Sequence, residues 1–425
     1  MTSITVVPAS VRIVFLSPSG ELGGAETALL DMLASIREAR PDWTLAMIAA
    51  SGGPLVAKAA AYAQATALPF PGALARLGEW GTSHPNAATA LGAPARGSAA
   101  TRLRLGLGAV AAAAPAMSYA RRLQRRLLDF HPDIVHSNGL KMHLLGARVR
   151  PTASRLVWHL HDYPASRRLT ASLLESQLQR CDVMLANSDS VAADARQRFG
   201  DRVPVHAVYN AIDLDRFTPV GPVADLDALA GLPPLAPGGI RVGLVGTFAR
   251  WKGHTVFLDA LARLRGHANV RGYIVGDSIY DTDGSQYSRA QLRARAEACG
   301  LGGMVGFTGQ VDDVSAVLRA LDVAVHASVE PEPFGLVIAE AMACGRPVVV
   351  SRAGGAAEIA QAGAVFHEPG NSVELAERVR ELASDAARRT ALGREGREAA
   401  LRLFSRARLR QTLIPIYETL AEVVK

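Results

Sequence analysis

Glu332-Pro333-Phe334-Gly335-Leu336-Val337-Ile338-Ala339-Glu340 sets two carboxylates eight residues apart around a Pro-Phe-Gly entry. On a helix that spacing is a little over two turns, which brings both acids near one face. Pro333 and Gly335 shape the entry, and residues 336–343 read as a buried helix ending at Cys344-Gly345. The backbone N–H groups of Phe334, Gly335 and Leu336 then stand at a helix N-terminus, where an anion is favoured. An apolar run at 323–326 precedes the stretch and another at 347–351 follows it. Strand, loop, helix and strand in that order make one unit of an open parallel sheet.

Working outward, the same alternation recurs in both halves of the chain. Strand candidates lie at 11–17, 44–50, 134–137, 156–160, 183–187 and 205–209. A Pro/Gly-rich, acidic stretch at 218–239 reads as a linker. Strands then restart at 240–245, 270–275, 305–308, 323–326, 347–351 and 364–366. Helical patterns at 255–265, 288–299, 314–320, 336–343, 372–384 and 386–404 alternate with them, and a last one covers about 406–423. The pattern predicts an α/β protein of two Rossmann-like doubly wound domains, 1–217 and 240–405, with a terminal helix at 406–425. Ligands of such sheets bind beyond the carboxyl ends of the strands, so polar residues there are the candidates for function.

Gly20-Glu21-Leu22-Gly23-Gly24-Ala25-Glu26 follows the first strand and opens a helix. Gly23 and Gly24 let the backbone come close to a ligand, and the helix start favours phosphate. Three glycines in the dinucleotide spacing are absent, which argues against NAD. Gly246-Thr247-Phe248-Ala249-Arg250-Trp251-Lys252-Gly253-His254 follows the first strand of the second half. Lys252 is one of four lysines in a chain with 46 basic residues, so its place here is not the chain's habitual arginine. Leu156-Val157-Trp158-His159-Leu160-His161-Asp162 ends another strand, with His159 and His161 on one side of it. His159 reads as structural. Asp133-Ile134-Val135-His136-Ser137-Asn138-Gly139-Leu140-Lys141 also ends a strand, and Lys141 is a candidate contact to acceptor or phosphate. Asp281-Thr282-Asp283 has the Asp-x-Asp form that can hold a divalent ion on phosphates, but its place in a polar loop reads as a turn without metal.

Together these motifs resemble retaining GT-B glycosyltransferases of family 4, the glycosyl transferases group 1, with Glu332 and Glu340 as the Glu-x7-Glu pair. The resemblance covers nearly the whole chain. It implies two domains facing an interdomain cleft, a last helix crossing back to the first domain, and no tightly bound cofactor. It implies transfer of a sugar from a UDP-, GDP- or ADP-linked donor to a saccharide or lipid-linked acceptor, for cell-surface polysaccharide or glycolipid synthesis. Glu340 would hold ribose, while Glu332 and His161 would position the sugar. Lys252 and Arg250 would oppose the charge that grows on the leaving diphosphate, together with the N–H groups near Phe334, Gly335 and Leu336. Gly23 and Gly24 would touch donor phosphate. Thr247 stands where the family usually has an arginine, so on this resemblance the second cation would have to come from a neighbouring position, for which Arg250 is the candidate. A nucleotide-sugar 2-epimerase is the rival enzyme, but no convincing acid–base set for elimination is found. A carbohydrate-binding or scaffold protein of the same fold is the non-catalytic rival.

Composition bounds the partners. Residues 1–220 carry 23 basic and 16 acidic side chains, whereas the remaining residues balance at 23 each. Between Trp80 and Leu128 there is no acid, but Arg96, Arg102, Arg104, Arg121, Arg122, Arg125 and Arg126 are present. A basic face on one domain suggests an anionic partner such as a membrane surface. Nucleic acid is disfavoured, because aromatics are only 5% and no binding motif occurs. The expected place is the cytoplasm, peripheral on the inner face of the cytoplasmic membrane. No signal peptide is apparent, and three scattered cysteines match no zinc pattern.

Overall fold

The first strand, β1 (Arg12–Ser17), is buried along nearly its whole length, and its alternation divides the surrounding core. Ile13 and Phe15 join a cluster with Leu29, Met32, Leu33, Leu409, Leu413 and Tyr417. Val14 and Leu16 join another with Tyr119, Leu123, Leu127 and Trp158. Because side chains of a strand point alternately to its two faces, both faces of this sheet are covered by helices. A computed structural model describes residues 10–72, 99–166, 168–266, 269–278 and 285–422.

Seven strands form the first sheet. After β1 come β2 (Thr44–Ala49), β3 (Gln64–Ala67), β4 (Ile134–Asn138), β5 (Arg155–Leu160), β6 (Val183–Ala186) and β7 (Val205–Ala207). Their order is β3-β2-β1-β4-β5-β6-β7, all parallel. The second sheet contains β8 (Ile240–Val245), β9 (Val270–Val275), β10 (Val305–Gly309), β11 (Val323–His326), β12 (Val348–Ser351) and β13 (Ala364–His367). Its order, β10-β9-β8-β11-β12-β13, repeats the doubly wound pattern. In each sheet the winding reverses once, between β1 and β4 and between β8 and β11. Loops leaving those strands diverge there and open a crevice.

The two sheets belong to two compact units, and residues Ile212–Ser405 form the second. The helix Arg406–Glu422 is part of the first unit. Leu409, Leu413 and Tyr417 are buried there, the Tyr417 hydroxyl is 2.7 Å from His136 Nδ1, and Arg406 reaches Asp31 at 2.8 Å.

The stretch 218–239, read above as a linker, is pinned to the second sheet. Its short helix Leu226–Ala230 buries Asp227. That carboxylate accepts from Arg241 at 3.0 Å, from Arg271 at 2.6 Å, from the Leu235 N–H at 3.0 Å and from the Tyr273 hydroxyl. Burial works against its charge, yet these donors together hold its pKa well below the ordinary carboxylate range.

Two elements have no counterpart in the expected pattern. The edge strand β3 is largely exposed and has no apolar alternation. The helix Gly354–Ile359 follows β12, where the sequence shows no helical pattern. The helix Ala99–Phe130 puts Leu123 and Leu127 into the core, so those leucines do not belong to an outer apolar face. Arg121, Arg122, Arg125, Arg126 and Leu128 are exposed on it. Residues 80–98 and the Asp281–Asp283 pair lie outside the described residues. Among the described residues no helix is long and apolar enough to cross a membrane.

Candidate functional site

In the second unit the loop after β8 carries Thr247, Arg250 and Lys252. It turns through residues 250–252 into Gly253, whose φ of +71° is in the left-handed region. A Cβ at Gly253 would sit 1.9 Å from the Ala327 carbonyl oxygen, so only glycine lets this loop approach the end of β11. The Val329 N–H then donates to the Trp251 carbonyl at 2.8 Å and ties the two loops together.

That tie brings Lys252 onto Glu332. Lys252 Nζ is 2.7 Å from both carboxylate oxygens, and it also lies 4.2 Å from the centre of the Trp251 ring. Glu332 is buried, and burial alone would raise its pKa. Lys252 and a hydrogen bond from His326 outweigh that and hold it down at about 2. The same carboxylate has His326 Nε2 and Ser328 Oγ each 3.1 Å from Oε2. Its backbone carbonyl accepts from the Ala356 N–H at 3.3 Å, which ties in the loop after β12. Arg250 is held differently, with its guanidinium 4.3 Å over the ring of Tyr287. Thr247 is partly buried beside it in sequence.

The Pro-Phe-Gly entry behaves as a wedge. Phe334 is buried edge-on to Phe404, with ring centres 5.7 Å apart. Gly335 takes φ +92° and caps the helix Leu336–Ala343 without a side-chain hydrogen bond. The helix therefore begins with backbone N–H groups that no capping side chain occupies. Glu332 stands four residues before this helix, so the one-face relation of its acids does not apply. Glu340 lies on the helix, half buried.

The first unit shows a parallel arrangement at its own switch point. Gly23 and Gly24 start the helix Gly24–Ala39, but the Gly23 N–H donates to Glu26 Oε2 at 3.2 Å. A carboxylate thus stands where the glycine motif favours phosphate. Glu26 has a pKa raised by burial, which outweighs the backbone hydrogen bonds from Glu26 and Gly23. His161 follows β5, and its Nε2 is hydrogen-bonded to Asn138 Oδ1 at the end of β4. Asn138 Nδ2 in turn donates to the Ala25 carbonyl at 3.4 Å. With the amide oxygen facing the ring, Nε2 carries the proton and Nδ1 keeps the lone pair. Burial lowers the pKa of His161 to about 4, so its ring is neutral at pH 7. The His159 ring lies tilted against it, with ring centres 4.0 Å apart. Lys141 starts the next helix, 5.5 Å over the ring of Phe70.

Sequence reading singled out Lys252 and Glu332 separately. It did not foresee that they pair, and it passed over His326, Ser328, Asn138 and Glu26. The alternation of β11 and the side chains of His326 and Ser328 two residues apart were the available signal. Among the described residues no group of three or more His, Cys, Asp or Glu side chains could hold a metal ion.

The family model of glycosyl transferases group 1 matches residues 234–399, and that of glycosyltransferase family 4 matches residues 97–216. A D-inositol 3-phosphate glycosyltransferase of Catenulispora acidiphila is 32% identical over 248 residues, 56% of this chain and 55% of that protein. A phosphatidyl-myo-inositol mannosyltransferase of Mycobacterium leprae is 28% identical over 310 residues, 71% of this chain and 77% of that protein. The matches span about half the length of several curated relatives, 55%, 43% and 53% for three of them. The fold is similar to that of Anabaena HepE, solved in complex with UDP and glucose. That likeness has a TM-score of 0.72 at 24% identity and covers 97% of this chain and 99% of HepE. The two family models fall on the two sheets of like winding, and the chain belongs to the group 1 glycosyltransferases of the two-domain α/β GT-B fold.

Proposed function

We propose that this protein transfers a sugar from a nucleotide sugar to an acceptor hydroxyl, with retention at the anomeric carbon. The observation that carries this reading is Lys252 held at the switch point of the second sheet by Glu332, four residues before a helix, Leu336–Ala343, that has no side-chain cap. A partly buried cation and a helix start without a side-chain cap fit a diphosphate whose charge grows as the glycosidic bond breaks. Arg250 adds positive charge nearby in sequence, and Glu340 offers a carboxylate to ribose hydroxyls. Neutral His161, with its lone pair on Nδ1, suits acceptance of a hydrogen bond from a sugar hydroxyl. Retention without a protein nucleophile requires attack on the face that the leaving group vacates. The departing phosphate oxygen then takes the acceptor proton, so charge and protons balance without a further acid or base.

Several relatives support the substrate class. HepE was solved with UDP, and with UDP-glucose, and two of the curated relatives named above are glycosyltransferases of inositol-containing acceptors by name. The acceptor here is proposed to be a saccharide or a lipid-linked molecule. The exposed Arg121, Arg122, Arg125 and Arg126 beside Leu128 fit peripheral attachment to an anionic inner membrane face. Thermal-shift screening of UDP-, GDP- and ADP-sugars, with and without EDTA, tests the donor reading. A rise in melting temperature with one nucleotide class, unchanged by EDTA, is expected. No shift with any of them would overturn it.

A further inference from the structure

The family reading leaves His326 and Ser328 without a role, although both are buried at the end of β11. His326 Nε2 lies 2.9 Å from Ser328 Oγ, and both atoms lie 3.1 Å from the same oxygen of Glu332. Facing a carboxylate, the His326 ring carries its proton on Nε2 and donates it there. Ser328 Oγ donates its own proton to that oxygen. Glu332 therefore meets two side-chain donors on one side and the Lys252 ammonium on the other. A buried carboxylate needs such donors to stay charged, and each removes freedom from its two side-chain torsions.

We infer that His326 and Ser328 are positioning residues that fix Glu332 against Lys252, so that the resting protein carries Lys252 as a masked cation. This rests on the reading of Lys252 as the group facing the diphosphate. Lys252 then has two partners in succession. Glu332 holds it while the site is empty, and the incoming diphosphate draws it away as a stronger, doubly charged acceptor. Masking lowers the attraction of stray anions such as inorganic phosphate, which offers fewer of the contacts that the helix N-terminus and Glu340 give a nucleotide.

Amine labelling tests this directly, because Lys58, Lys141, Lys252 and Lys425 are the only lysines and peptide mass spectrometry separates them. An ammonium clasped between a carboxylate and an indole acylates slowly, since the reagent needs a neutral, accessible amine. The rate for Lys252 with sulfosuccinimidyl acetate is read against exposed Lys58 in the same protein. The ratio should rise about threefold or more in His326→Phe and by less in Ser328→Ala, and His326→Gln should restore it. In a Glu332→Gln background neither substitution should add anything, as expected when both act through one partner. An unchanged ratio in folded His326→Phe, or an equal further rise on top of Glu332→Gln, would overturn the inference. If His326→Phe does not fold, Ser328→Ala with and without Glu332→Gln decides it alone. Release of nucleoside diphosphate from UDP-, GDP- and ADP-glucose is measured in parallel. Failure there removes the donor reading, while the labelling ratios still decide the positioning.

Discussion

Lys252 Nζ lies 2.7 Å from each carboxylate oxygen of Glu332, across the loops that leave β8 and β11. The two residues are 80 positions apart in the chain. A symmetric clasp of this kind satisfies both charges inside the protein and leaves neither a bare charge in the empty site. A ligand that uses Lys252 must therefore replace Glu332 as its partner.

Removing the competing carboxylate has a defined consequence. Glu332→Gln should bind nucleoside diphosphate more tightly, by about fivefold or roughly 1 kcal/mol, because the anion no longer displaces a partner. Turnover should fall, because Glu332 is the carboxylate expected to position the sugar. Calorimetric titration with UDP, GDP and ADP checks this. Binding weakened more than tenfold would mean that Glu332 itself contacts the donor.

Glu340 is on a rigid helix and half buried, which suits a carboxylate that receives hydroxyl groups. Glu340→Ala should weaken nucleoside diphosphate binding by roughly 1.5–3 kcal/mol, one to two decades in affinity. Its melting curve should match the wild type. Equal affinity for wild type and variant would remove Glu340 from the site.

Acid should weaken the first unit through its buried histidines. Burial lowers the pKa of His136 and His159 far below the ordinary value, with neighbouring histidines adding to it, and brings His161 to about 4 and His143 to about 3. Unfolded histidines bind protons near pH 6.5. Between pH 6.5 and 4 the unfolded chain therefore holds more protons, and stability falls as pH falls, by about 1.4 kcal/mol per pH unit per proton. His159 has neither ring nitrogen hydrogen-bonded among the described residues. His159→Phe should be close to neutral at pH 7.5 and should flatten the acid slope by one proton. A variant with an unchanged slope in urea unfolding from pH 7 to 4.5 would contradict this.

The arginines of the helix Ala99–Phe130 provide a membrane prediction. Wild type should co-sediment with anionic vesicles more than with neutral ones at low salt. Changing Arg121, Arg122, Arg125 and Arg126 together to Gln should abolish the difference, at on the order of 1 kcal/mol per arginine. Equal retention on both vesicle types by wild type would favour a soluble acceptor.

The strands of both sheets except β3 were legible because a strand buried on both faces is a compact apolar run such as Val348–Ser351. β3 was not, since Gln64–Ala67 is an edge strand with exposed side chains. The short segment at 218–239 misleads by composition. Its prolines and glycines suggest a free connection, whereas the decisive residue is Asp227, whose partners Arg241, Arg271 and Tyr273 lie on other strands. In the site, residue types at strand ends were legible one loop at a time. The pairings Lys252–Glu332 and Asn138–His161 were not, because register between neighbouring strands, not spacing along the chain, brings them together.

Lys252 is proposed to serve the departure of a nucleoside diphosphate. The most direct test is release of UDP, GDP or ADP from the matching nucleotide sugars by wild type and Lys252→Ala, at saturating donor. Wild type should release nucleoside diphosphate from one nucleotide class, and the variant should lose about 10²-fold or more, as for removal of an electrostatic stabiliser. Equal turnover by the two proteins, or no release by wild type from any donor, would contradict it.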